Sequence, residues 1–239
     1  MSFKTIINDI DKKKFSPVYF LHGLESFYIE ALEKNFIANS IQEDERDFNQ
    51  HVLYAKDHDL DTIVKLAQQF PMMGERQMIL VKEAQNYRNF DALIKYLQKP
   101  LESTVLVFSY KGKKLDARIE KKLSAAKFML SKPLYDNQVP DWIKGQVTEI
   151  GLTIEPQAMI LLSEYLGNDL LKILNELNKL KIILPQGALI SADVIEKNIG
   201  ISKEFNVFEL VKALANRDNS KCLSIADYFS KNSKNHPFV

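Results

Sequence analysis

Residues 17–26, PVYFLHGLES, place an apolar run, a glycine and a serine able to cap a helix in the order that cradles phosphate. Backbone N–H groups at the start of a helix point outward with partial positive charge, so a strand, glycine and helix junction is a ready anion site. Triphosphate chemistry asks for more. It needs G-x-x-x-x-G-K-[ST], with a lysine for the terminal phosphates and a hydroxyl for magnesium. Counting from Gly23, the second glycine falls on Tyr28, the lysine on Ile29 and the hydroxyl on Glu30. An apolar side chain and a carboxylate in those places cannot hold a triphosphate. The partner site fails as well: a metal-organising strand ends in two acids, whereas QMILV at 77–81 runs into Lys82-Glu83 and supplies one. A nucleotide site in this chain is therefore expected to be degenerate, with no cofactor.

Other chemistry is thin. The four histidines, His22, His51, His58 and His236, have no ligand spacing, and the single cysteine, Cys222, is far from them in sequence, so no metal site is expected. No G-x-S-x-G motif or Cys/His nucleophile arrangement is present. Lys111, Lys113, Lys114, Arg118, Lys121 and Lys122 form the densest basic cluster; without interleaved aromatics it reads equally as a solvated helix face or a nucleic-acid surface. Lys12, Lys13 and Lys14 read as a solvated face.

One apolar feature is out of place. Leu60, Ile63, Val64, Ala67 and Phe70 recur at helical spacing, so a helix is expected over 59–70, and Pro71 cannot continue it. Met72 and Met73 then stand on the connection to the next strand, where side chains are usually solvated and where Gly74 lets the backbone turn. Two readings are open. The pair tucks under the loop and completes the core, or it projects as a polarizable plug for a groove on a partner.

These residues need a scaffold, and the hydrophobic pattern describes one. Short apolar runs at 17–22, 49–54, 77–81, 103–110 and 128–134 read as strands; patterns at 3–13, 26–39, 59–70, 90–98 and 116–126 read as helices. Strands alternating with helices imply an α/β domain with a five-stranded parallel sheet and right-handed crossovers. Past residue 136 the pattern is all helical, over 139–150, 155–166, 169–181 and 191–199, with Leu170, Leu171, Leu174, Leu177 and Leu180 expected to face a core. Residues 200–206 read as a connector, and helices beginning near 207 and 220 carry apolar faces without visible partners, as if the chain were cut from a longer polypeptide.

The bulk numbers bound the rest. A length of 239 residues suggests two domains, or one with an appendage, and 46% hydrophobic residues suffice for packed cores. With 32 basic against 31 acidic side chains there is no strong field, so nucleic-acid contact must come from a local patch or from assembly with other chains. One cysteine fits a reducing compartment. No signal-peptide pattern and no apolar run near the ~20 residues of a membrane span is present. The expectation is a soluble cytoplasmic protein.

Together, the ruined phosphate loop (YFLHGLESFYIEAL), the helix GNDLLKILNELNKL and the P-apolar-apolar-G-E-R turn before the third strand resemble the delta subunit family of the bacterial DNA polymerase III clamp loader. The resemblance runs through essentially the whole chain. It implies an AAA+ architecture related to P-loop NTPases: an ATPase-like domain over 1–136, a helical lid over 137–204, and the start of a helical collar over 205–239. It implies further that Phe70, Pro71, Met72 and Met73 bind the sliding clamp (the beta subunit) and help to open it. On this reading the chain has no catalytic site, although it is part of a nucleotidyltransferase complex; it joins the other loader subunits through the collar and meets primed DNA only within the assembly. Most members carry Leu-Phe or Phe-Phe where this sequence has Met72-Met73, which keeps the apolar character and gives up aromatic bulk. The lid position where active relatives keep a phosphate-sensing arginine falls near Leu171. Two other functions compete: an NTPase with an unorthodox site, and a helical adaptor of the same fold with another partner.

Overall fold

In the computed structural model, which describes residues 1–72, 74–199, 205 and 207–231, the short apolar runs become strands and the 3.6-periodic segments become helices. Helix α1 (Phe3–Asp11) starts where the Ser2 hydroxyl accepts the Thr5 N–H, and it buries Ile6 and Ile10. Strand β1 (Val18–Gly23) is buried along its whole length. Then follow α2 (Ser26–Asn39), the short α3 (Arg46–Asn49), β2 (Gln50–Tyr54) and α4 (Leu60–Ala67). The rest of the first layer is β3 (Gln77–Lys82), α5 (Asp91–Tyr96), β4 (Thr104–Lys111), α6 (Ala117–Lys122) and β5 (Lys127–Ser131).

The strands form one five-stranded sheet in the order β2-β3-β4-β1-β5, every neighbouring pair parallel. Continuous burial of β1, β3 and β4 follows from this order, because a central strand of a parallel sheet is covered on both faces. The edge strands β2 and β5 are partly exposed. Helices α1 and α2 cover one face, where Ile6, Ile10, Ile29, Leu32 and Phe36 pack on Tyr19, Leu21, Met78, Leu80 and Val107. On the other face Ile63, Ala67, Leu93 and Tyr96 meet Phe20, Ile79, Val81 and Phe108, with the Phe20 and Phe108 rings stacked at 4.7 Å.

The chain separates into two compact units, Met1–Pro133 and Leu134–Val239. The second unit contains α7 (Val139–Glu149), β6 (Thr153–Ile154), α8 (Pro156–Leu166), α9 (Leu170–Ile183), β7 (Leu189–Ile190) and α10 (Ala192–Ile199). The two dipeptide strands β6 and β7 pair in parallel, an element too short for hydrophobic periodicity to show. On α9 the buried stripe is Leu170, Ile173, Leu177 and Leu180; Leu171 and Leu174 flank it and are half-buried. Two further helices, α11 (Val207–Ala215) and α12 (Asn219–Lys231), pack on each other, with Ala213 and Ile225 buried and Glu209 paired to Lys221. The helices that looked partnerless in sequence are thus partly each other's partner. Among the described residues, no helix is long and apolar enough to cross a membrane.

At the end of β1, the buried His22 accepts the Leu115 N–H at Nδ1 (3.0 Å) and sets its ring edge-on to Phe128, 6.1 Å away. Burial lowers its pKa, and burial also lowers that of His51. The unfolded chain takes up these protons near pH 6.5 while the folded chain resists, so stability present above that pH is lost as pH falls through it. Thermal unfolding between pH 7.5 and 5.5 is expected to show a melting temperature that drops with acidification. His22→Leu should melt lower throughout and flatten that slope.

Candidate functional site

Ligands of open parallel sheets bind at the carboxyl ends of strands where the chain reverses its direction of winding. Here that point lies between β1 and β4, because the chain leaves β1 for the far edge at β2, returns to β4, and crosses to β5 on the other side. Gly23 sits there at φ +139°, and any Cβ on it would overlap the Ser131 backbone. The Gly23 N–H donates to the Lys113 carbonyl (3.1 Å), and the Leu24 and Glu25 N–H groups donate to the Ser131 carbonyl (3.1 and 3.5 Å). The Ser131 hydroxyl closes the loop onto the Glu25 carbonyl at 2.6 Å.

The cap of α2 differs from the sequence expectation. Ser26 is already the first helical residue, and the extended Glu25 caps instead, its buried carboxylate accepting the Phe27 N–H at 2.8 Å. The protein's own carboxylate therefore occupies the place of an anionic ligand at the helix N-terminus. Tyr28 packs on Phe3 and Phe27, each at 5.1 Å, and Ile29 is buried in the core. Glu30 pairs with Lys111 at 3.1 Å. Lys111 also reaches the buried Glu33 at 3.2 Å; Glu33 meets Lys82 at 3.6 Å and accepts the Ser109 hydroxyl.

The structure thus gathers Gly23, Glu30 and Lys82 around the crevice through Lys111 and Glu33. Tyr28 and Ile29 turn into hydrophobic packing. Glu83 leaves the strand with a left-handed backbone (φ +57°) to start a single 3-10 turn, and Leu171 lies on α9 in the second unit. Glu30 and Glu33 balance Lys82 and Lys111, and Glu25 adds a further carboxylate at the helix N-terminus. A unit negative charge of a ligand about 5 Å from that carboxylate meets roughly 3 kcal/mol of repulsion at an effective dielectric near 20.

The apolar turn stands at the opposite ends of the strands, between α4 and β3. Helix α4 stops at Ala67, three residues before the expected end at Phe70. The residue before a proline is driven out of the helical region, and side chains capture the carbonyls at the helix end. Gln77 donates through Nε2 to Leu66 (3.3 Å) and to Gln69; Thr104 and Tyr96 donate to Ala67 at 2.9 and 3.3 Å. Gln77 and Thr104 are joined at 2.9 Å.

Beyond this platform Phe70 is 77% exposed and Met72 60% exposed, with Pro71 half-buried between them. Met73 lies outside the described residues. The Met72 backbone is held at two points: Asn49 Nδ2 donates to its carbonyl at 2.8 Å, and its N–H donates to Asn49 Oδ1 at 2.7 Å. Gly74 does not use a left-handed φ, contrary to its expected role in turning the chain. It is small because a Cβ there would collide with the Glu45 carboxylate and come within 3.0 Å of Asn49 Nδ2. Arg76 ends the turn, its guanidinium 4.8 Å from the centre of the Phe15 ring. Next to Asn49 in the chain, Phe48 is 55% exposed. Phe70 and Met72 therefore do not complete the core of this unit.

The model of the family described as "DNA polymerase III, delta subunit" matches residues 19–133, which covers nearly all of the first unit and both features. Over those residues the chain resembles that family. The DNA polymerase III subunit delta of Bacillus subtilis (strain 168) is 28% identical over 229 residues, 90% of this chain. The chain spans 66% of the length of that relative. Among solved structures, the DNA clamp loader delta protein of Bacillus subtilis superposes with a TM-score of 0.67 at 26% identity, covering 96% of this chain and 72% of its own. The RuvB Holliday junction branch migration motor of Thermotoga maritima gives 0.54 at 11% identity over 94% of this chain and 79% of its own, a likeness of fold alone. The expected five-stranded parallel α/β sheet is thus a fold shared with these structures.

Several residues of both features were not singled out from sequence: Glu25, Glu33 and Ser109 in the crevice, and Asn49, Gln77 and Thr104 under the turn. Of these, only Glu25 had a local signal, as a carboxylate two residues before the Phe27 N–H it accepts. Thr104 tests the platform, because valine matches its shape without the hydroxyl. Thr104→Val leaves the Ala67 carbonyl and Gln77 short of a partner and is expected to cost about 1–3 kcal/mol in urea unfolding.

Proposed function

We propose that this chain is a non-hydrolysing clamp-loader subunit of the delta family that binds and opens the sliding clamp, using the turn at Phe70–Pro71–Met72 as its contact. The observation that carries this reading is the exposure of Phe70 and Met72 above a buried, fully bonded platform. An exposed apolar pair set on rigid backbone loses little conformational entropy on docking. Burying the two side chains contributes on the order of 3–6 kcal/mol, short of the roughly 8 kcal/mol of micromolar affinity. Phe48, exposed on α3 beside Asn49, and Val52, exposed on the edge strand β2, supply further apolar area. Opening then needs no covalent step: the chain has only to prefer the open ring over the closed one.

The first unit acts as an ATPase-like domain without fuel. Its crevice is sealed by Ser131, capped by Glu25 and neutralised by the Lys82, Lys111, Glu30 and Glu33 cluster. In the second unit α7–α10 serve as the lid and α11–α12 begin the collar that joins the other loader subunits; primed DNA is met within that assembly, in the cytoplasm. Exposed Val211, Leu214 and Leu223 on α11 and α12 fit such a junction.

Two measurements test this. Phe70→Ser combined with Met72→Ser should abolish binding to the organism's own sliding clamp in a surface-plasmon titration and leave the melting temperature nearly unchanged; retained binding would refute the docking role. Calorimetric titration with magnesium-ATP should give no heat of binding up to millimolar nucleotide, and saturable binding would point to an NTPase.

A further inference from the structure

We infer that Asn49 is the positioning residue of this docking turn, presenting Phe70 and Met72 without touching the partner itself. The inference rests on the proposed clamp contact and names the device that orders it. Asn49 is 1% exposed at the end of α3, immediately before the edge strand β2. Its carboxamide meets the Met72 peptide as another peptide would, donating to the carbonyl and accepting from the N–H. Asparagine suits this role for reasons of chemistry. Aspartate cannot donate, glutamine is one methylene too long, and an apolar side chain leaves both Met72 groups unpartnered.

The two bonds hold Met72 at both its N–H and its carbonyl, one residue after Pro71, whose own φ is locked by its ring. With Gln77, Thr104 and Tyr96 holding the α4 end, the backbone of residues 66–72 is pinned from both sides. Gly74 completes the arrangement by leaving room for Asn49 and Glu45. A turn released from Asn49 samples other conformations, and apparent affinity falls by the fraction of time spent in the competent one. A competent fraction of about one tenth gives a roughly tenfold loss, carried by the association rate, because the contacts in the complex are unchanged.

The test uses the whole chain and the organism's sliding clamp in stopped-flow or surface-plasmon kinetics. Asn49→Ala should associate about tenfold more slowly and dissociate within about twofold of the parent rate. Hydrogen exchange of the Met72 amide, followed by NMR, should accelerate in parallel. Ile10→Ala, a core truncation on α1 that leaves the Asn49 bonds in place, should lower the melting temperature and leave both rates alone. If Asn49→Ala does not fold, Gly74→Ala carries the test: it crowds the carboxamide and should slow association in the same direction. Parent-like association and amide exchange in Asn49→Ala would overturn the inference, as would an equal slowing in Ile10→Ala. Should Phe70→Ser with Met72→Ser lose binding while Asn49→Ala keeps parent kinetics, only the positioning role fails. Were the serine double variant to bind normally, the docking reading would fall and this inference with it.

Discussion

A backbone carbonyl or N–H that leaves regular structure near a protein interior must find a partner, and most of the first unit's function-bearing geometry follows from how it meets that requirement. Helix α4 ends under the turn with an Ala67 carbonyl that lacks its usual donor four residues on, because Pro71 has no N–H. Thr104 from β4 and Tyr96 from α5 take up that carbonyl, and Gln77 from β3 takes up those of Leu66 and Gln69, so three elements of the sheet layer are tied to one helix end. In the loop beyond, the Met72 backbone is paired with Asn49, and the Phe70 and Met72 side chains face outward. Exposure of Phe70 and Met72 is the result of satisfied polar groups beneath them.

The crevice at the other end of the sheet solves a related problem with charge. A parallel sheet brings the helix N-terminus of α2 and the carboxyl ends of β1 and β4 to one place, and that place attracts an anion in any chain with this topology. This sequence supplies the anion from within. The Glu25 carboxylate caps the helix, and Glu33 sits buried between two lysines with Ser109 as a third donor. Removing one member of such a cluster would leave a buried charge uncompensated, which costs far more than the intact cluster contributes.

Much of the fold was legible because burial writes itself into the chain as periodicity. The strands at 18–23, 77–82 and 104–111 stand out as continuous apolar runs, and the helices of the second unit as stripes at 3.6 spacing. That no lysine stands at the phosphate-motif position was legible from spacing alone: Ile29 occupies a fixed offset from Gly23. What could not be read were partnerships across distance. Asn49 and Met72 are 23 residues apart, Glu33 and Ser109 are 76 apart, and nothing in the local spacing of either pair announces the other. Local readings also misplaced detail where tertiary partners decide it, as at Ser26, which yields the cap to Glu25, and at Gly74, which is needed for clearance and not for its dihedral freedom.

The seal at Gly23 limits what substitution alone can supply. Its N–H and those of the next two residues are taken by main-chain carbonyls of Lys113 and Ser131, not by side chains. A glycine at 28, a lysine at 29 and a hydroxyl at 30 would supply the lettering of an ATP-binding motif over a loop whose donors are still spoken for. Freeing those donors would require the end of β5 to withdraw, a change in chain path beyond those three substitutions.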